Sequence, residues 1–125
     1  TMAPTDGIYF TKAAGASTIQ FVVRKSSTSL AATAYSTGTT TIATLANATT
    51  VELGWYYDGK GNIDVFVNET KVCSVDVGVS SGTVAATFPQ AVALGMGFGI
   101  KAAATAPTTG DIIVDFMLSS QDRTF

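Results

Sequence analysis

Val51-Glu52-Leu53-Gly54-Trp55-Tyr56-Tyr57-Asp58-Gly59-Lys60-Gly61-Asn62-Ile63-Asp64-Val65-Phe66-Val67-Asn68-Glu69-Thr70 is the stretch that decides the fold. Val51, Leu53, Trp55 and Tyr57 alternate with Glu52, Gly54, Tyr56 and Asp58. Ile63, Val65 and Val67 then alternate with Asp64, Phe66 and Asn68. A period of two belongs to strands, whose successive side chains leave opposite faces of a sheet. Between the two runs, Gly59 and Gly61 supply the positive φ that hairpin loops demand. Asp58 and Asn62 favour local side-chain-to-backbone bonds. Asn68-Glu69-Thr70 reads as a second tight turn, after which Cys73, Val75 and Val77 alternate with Val72, Ser74 and Asp76. Residues 50–77 are therefore predicted to form a three-stranded antiparallel meander. Trp55 is its heaviest core candidate.

The same period runs outward in both directions. Ile8 and Phe10 open it, and Ile19, Phe21 and Val23 alternate with Thr18, Gln20 and Arg24. Ile112, Val114, Phe116 and Leu118 close it, and 95–99 alternates with glycine on one face. Residues 30–35 and 39–43 lie in a Ser/Thr/Ala-rich region and are expected as short edge strands or loop. Residues 78–82 and 102–110 read as loops. No window carries a helical period, and no tandem repeat stands out. Many short strands at close spacing must cover their apolar faces in two layers, so the fold class is all-β: an antiparallel β-sandwich in one domain over residues 1–125. The chain starts at Thr1, ahead of Met2, and is expected to be a segment of a longer one.

Composition narrows the function. Of the 125 residues 46% are apolar, enough for a two-layer core, and only 13% are charged, against roughly 25% in an average soluble domain. A surface so poor in charge suits contact with other protein. A net charge of -2 and the lack of a basic stripe disfavour nucleic acid as a partner. No Lys/Arg cluster addresses an anionic membrane, and the apolar runs are far shorter than the ~20 residues that cross a bilayer.

Chemistry is scarce as well. The chain has no histidine, the usual base for a Ser or Cys nucleophile and a frequent zinc ligand. The lone Cys73 is expected to be a small buried apolar residue. Glu52 and Glu69 are the only glutamates and do not form a glycosidase pair. The aspartates sit singly at turns or on outward strand positions. Asp58, Asn62 and Asp64 could in principle offer oxygens to calcium, but a hairpin turn accounts for their spacing. The triplets at Asn47 and Asn68 match glycosylation sequons, which arise by chance in so Thr-rich a chain. No catalytic residue, metal or cofactor is expected. Tyr56, Tyr35 and Tyr9 are the candidate ligand or partner contacts, with Tyr57 beside them, because tyrosine joins a flat apolar face to a hydroxyl. Tyr56 falls on the face opposite Trp55 and is expected to be exposed.

The run Val51 to Gly59, followed by Ile63 to Asn68, resembles the laminin-G/concanavalin-like jelly roll. In that family a strand ending in an aromatic-Tyr-Asp-Gly turn precedes one ending in V-x-V-N-G. Here position 69 is Glu where the family usually has Gly. Residues 6–10, 18–24 and 111–123 extend the likeness. A full concanavalin-like domain is usually longer, so the resemblance implies a reduced jelly roll. The chain as a whole is similar to jelly-roll virion proteins of tailed phages, which decorate or cement the head. The resemblance implies a non-enzymatic protein on the capsid surface of the virion, with the major capsid protein as partner and a trimer or dimer as its own state. It carries over no catalytic or metal-binding residue. The alternative is a carbohydrate-binding, lectin-like module of a tail fibre or surface protein.

Overall fold

The computed structural model describes residues 3–78 and 86–89, together with Gly95, Gly97 and Leu118. Among the described residues seven strands form two antiparallel sheets, and a single turn of 3-10 helix at Ala32–Ala34 is the one helical element. In the first sheet β1 (Gly7–Lys12) pairs along β2 (Thr18–Lys25), placing Ile8 opposite Val23 and Phe10 opposite Phe21. The short β3 (Thr28–Ser29) and β4 (Thr41–Thr44) also pair with β2, at its two ends. The second sheet is the meander read from the sequence: β5 (Leu53–Tyr57), β6 (Asn62–Val67) and β7 (Thr70–Asp76), in that spatial order.

Local chemistry fixes the hairpins. Asp58 Oδ1 accepts the backbone N–H groups of Lys60, Gly61 and Asn62 at 2.7, 2.8 and 3.0 Å, which winds the β5–β6 loop around one carboxylate. At the β6–β7 turn Asn68 and Glu69 both have positive φ, 49° and 63°, as a two-residue type I′ loop requires. Asn68 also anchors the start of β5: its N–H donates to the Glu52 carbonyl, and its Oδ1 accepts the Glu52 N–H, both at 2.9 Å. Ser26 and Ser27 occupy the same left-handed region between β2 and β3. Their N–H groups donate to Asp6 Oδ1 and the Thr5 carbonyl, each at 2.8 Å, which ties the chain's start to this turn.

One β-bulge sets the faces of the meander. A two-residue turn makes Val67 face Thr70 and Phe66 face Lys71. Continued without a break, that register would put Val72 opposite Val65. The ladder instead shifts, so that Val65 faces Cys73 and Asp64 faces Ser74. A one-residue slip exchanges the two faces of a strand. Here it turns Cys73, Val75 and Val77 inward, all three buried.

The core joins both sheets. Phe21 and Val23 from β2, Ile63 and Val65 from β6, and Cys73 and Val75 from β7 form one cluster with Val77, Tyr35 and Phe88. Phe10 tilts onto Phe21 with ring centroids 5.2 Å apart, and Tyr57 meets Phe88 at 5.1 Å. The expected inward alternation of Ile19, Phe21, Val23, Ile63 and Val65 is what the structure has, and Cys73 is buried as expected.

The expectation for Trp55 is corrected. Trp55 is 42% exposed rather than central. Its register opposite Val65 does place it on the inward face. However, β5 is the edge of its sheet among the described residues, so only β6 flanks it. Residues 30–35, expected as edge strand or loop, hold no strand but a 3-10 turn at Ala32–Ala34, after which Tyr35 makes an isolated bridge to Val75. The second expected edge strand exists as β4, at Thr41–Thr44. The readings at 79–82, 95–99, 102–110 and 112–118 lie outside the described residues, apart from Gly95, Gly97 and the exposed Leu118.

Candidate functional site

The three tyrosines singled out from the sequence go to three different places. Tyr35 is 3% exposed and belongs to the core, so its reading as a ligand or partner contact is corrected. The Tyr35 hydroxyl donates to the Phe21 carbonyl at 3.1 Å, and burial pushes the phenol's pKa above its ordinary value. Its neighbour Ser36 completes a stitch onto β7. The Ser36 N–H donates to the Ser74 carbonyl at 2.8 Å, and Ser36 Oγ accepts the Ser74 N–H at 2.9 Å. Tyr9 is half-buried on β1, opposite Val22. Tyr56 is exposed on β5. Tyr9 and Tyr56 lie in different sheets and do not make one aromatic platform. Tyr57, on the inward face of β5, is half-buried against Phe88.

What the structure does bring together is a row across the outer face of the second sheet. Tyr56 pairs with Asp64, and Asp64 pairs with Ser74. Asp64 Oδ1 accepts from Ser74 Oγ at 2.7 Å and from Lys71 Nζ at 2.8 Å. These bonds to Lys71 and Ser74 hold its carboxyl below the usual carboxylate range. In the next row Gly54 pairs with Phe66, and Phe66 with Lys71. The Tyr56–Asp64 pairing is implied by the β5–β6 loop length, and sequence reasoning could have found it. The Asp64–Ser74 pairing depends on the bulge.

Asp58 and Asp64 do not build a cation site together. Asp58 uses Oδ1 to hold its own loop, and Asp64 uses Oδ1 for the Lys71–Ser74 pair. Among the described residues no three Cys, Asp or Glu side chains converge on a point that could hold a metal ion. Cys73 is buried, with Ser36 Oγ and Thr37 Oγ1 each 3.7 Å from its sulfur. No helix among the described residues is long and apolar enough to cross a membrane.

The edge of the sheet is the other exposed feature. β5 reads Leu53-Gly54-Trp55-Tyr56-Tyr57, with no charge and no proline. Trp55 is 42% and Tyr56 55% exposed, on opposite faces of one strand. Among the described residues no strand pairs with the outer edge of β5. No family model, no curated protein and no solved structure matches the chain.

Proposed function

We propose that this domain is a jelly-roll β-sandwich that works by protein–protein contact, as a decoration or cement protein on the capsid surface of a tailed-phage virion. The observation that carries this reading is the outer edge of β5, with which no strand pairs among the described residues. Soluble proteins protect an edge strand with charge, proline, a bulge or a covering element, because its free N–H and C=O groups would otherwise recruit another chain. β5 has no charge and no proline, its pairing with β6 runs without a register shift, and it exposes a large aromatic ring on each face. Such a strand suits burial against a neighbour in an assembly. The low charge content points the same way. The likeness of residues 51–68 to concanavalin-like jelly rolls supports the virion setting.

In this reading the protein is not an enzyme, and its mechanism is additive burial. Copies settle on the major capsid protein, and each adds contact area that must open before the shell can. Binding to the assembled shell alone stabilises it by mass action. A dimer or trimer would match the local symmetry of a shell.

The test is co-purification with intact virions at a fixed copy number. Trp55→Lys should release the protein from particles while the isolated domain keeps its β-rich circular dichroism. A monodisperse monomer that never travels with particles would overturn the reading.

A further inference from the structure

The backbone of β5 sorts its hydrogen bonds by alternate residues. At one end Asp58 donates its N–H to the Asn62 carbonyl at 3.1 Å, and at the other Asn68 donates to the Glu52 carbonyl at 2.9 Å. Between these ends Gly54 pairs with Phe66 and Tyr56 with Asp64. Bonded pairs alternate along an antiparallel ladder, so Gly54 and Tyr56 turn their N–H and C=O groups to β6. Leu53, Trp55 and Tyr57 turn theirs to the outer edge, where no partner strand lies among the described residues. Trp55 and Tyr56 are exposed there, one on each face. Gly54 sits beside them, and a Cβ built on it would meet nothing within 4 Å.

We propose that this edge pairs with β5 of a second copy of the chain, antiparallel, about a two-fold axis at Gly54. The proposal deepens the assembly reading and rests on it for the role of β5. An axis normal to the sheet keeps both inner faces on one side when it passes through a residue. Charge and strand length then choose among the central residues. Centred on Trp55, Glu52 of each copy would face Asp58 of the other, and like charges directly opposite destabilise a ladder. Centred on Tyr56, the pairing would run into the loop that Asp58 winds. Centred on Gly54, Leu53 of each copy faces Trp55 of the other on the inner face. The two residues exchange both backbone hydrogen bonds. On the outer face Glu52 faces Tyr56 of the other copy, so a phenol hydroxyl donates to a carboxylate. The glycine pair at the axis leaves space for the flanking Tyr56 rings, the way an aromatic ring covers an edge glycine. The contact is isologous and closes at two copies. A single short strand falls at the small end of interface sizes, below about 1,200 Å², so pairing is expected at roughly micromolar to sub-millimolar concentration. Copies held side by side on a surface would pair more fully.

The experiment is sedimentation velocity of the full chain from about 10 μM to about 1 mM, with amide exchange by NMR at both ends of that range. The chain should pass from monomer to dimer. Protection of the Leu53 and Trp55 amides should rise with concentration, while that of Gly54 and Tyr56 stays constant. Gly54→Lys sets two ammonium groups against each other at the axis and should abolish the dimer with the circular dichroism unchanged, since nothing stands within 4 Å of the new side chain. Gly54→Cys tests the register. Paired residues whose backbones are not bonded to each other stand about 4.5 Å apart, within disulfide range. With diamide as oxidant this variant should give a covalent dimer on a non-reducing gel. Tyr56→Cys should give about tenfold less, because its two copies lie beyond the roughly 7 Å limit, and wild type, with Cys73 buried, should give none. A monomer at every concentration would overturn the proposal. So would Trp55 amides equally protected throughout, which would mean that the chain's own residues cover the edge. A dimer that survives Gly54→Lys, or cross-linking no better at Gly54 than at Tyr56, would overturn it as well. A monomer that still travels with particles sinks this pairing alone, and a dimer that never does sinks the virion reading alone.

Discussion

The hydroxyl of Tyr35 donates to the backbone carbonyl of Phe21 at 3.1 Å and so links the two sheets through the middle of the core. Tyr35 is bridged to Val75 in β7, whereas Phe21 lies in β2. The bond is short-range chemistry between residues that the sheets bring together. Tyr35→Phe keeps the ring and removes the donor. It should cost about 1 kcal/mol, read as a lower urea midpoint with an unchanged slope. Above about pH 10 the same residue predicts a loss of stability. Its folded pKa is raised by burial, so the folded state holds the proton more tightly than the unfolded chain does. That contribution is complete below the ordinary tyrosine pKa of about 10 and is lost as pH rises through the folded value. Ultraviolet titration of the phenolate in wild type and Tyr35→Phe should reveal one late-titrating tyrosine.

Phe21 and Trp55 should exchange the ranks that residue size alone would give them. Phe21 is fully buried, and Trp55 is 42% exposed. Phe21→Ala leaves a cavity and should cost about 3–5 kcal/mol. Trp55→Ala removes a half-exposed ring and should cost about 1–2 kcal/mol. Thermal or urea unfolding of the two variants side by side checks the order. A larger loss at Trp55 would mean that its ring is covered in solution.

Glu69 holds a φ of 63°, where a side chain is strained and glycine is at ease. Glu69→Gly creates the Asn-Gly pair preferred in type I′ turns. It should stabilise the domain by about 0.5–1 kcal/mol, with a raised melting temperature as the measure.

Acid should loosen the β5–β6 loop through Asp58. Three backbone N–H groups on one carboxylate, Asn62 foremost, lower its pKa from 3.8 to about 2. A carboxyl depressed in the folded state contributes stability that is complete above its unfolded pKa and lost as pH falls through the folded value. Stability should therefore decline between about pH 4 and about pH 2. Asp58→Asn should flatten that decline, as followed by urea unfolding across the window.

Much of the architecture was legible in the chain because it is carried by neighbours in sequence. A period of two in residues 51–57 and 63–67, with the turn residues Asp58, Gly59 and Asn68, determined the meander and the inward set Ile63 and Val65. Phe21 and Val23 were identifiable by the same alternation, and Cys73 by its apolar character. What the tertiary structure alone decided were the positions where two strands or two sheets compete for a side chain. The bulge opposite Val65 chose Ser74, not Cys73, as the partner of Asp64 and so composed the outer face. The bridge to Val75 drew Tyr35 out of the surface and into the core. Trp55, on a strand that is its sheet's edge among the described residues, is left half in water although its alternation points inward. Alternation says which face a residue takes, but how much protein covers that face depends on elements distant in the chain.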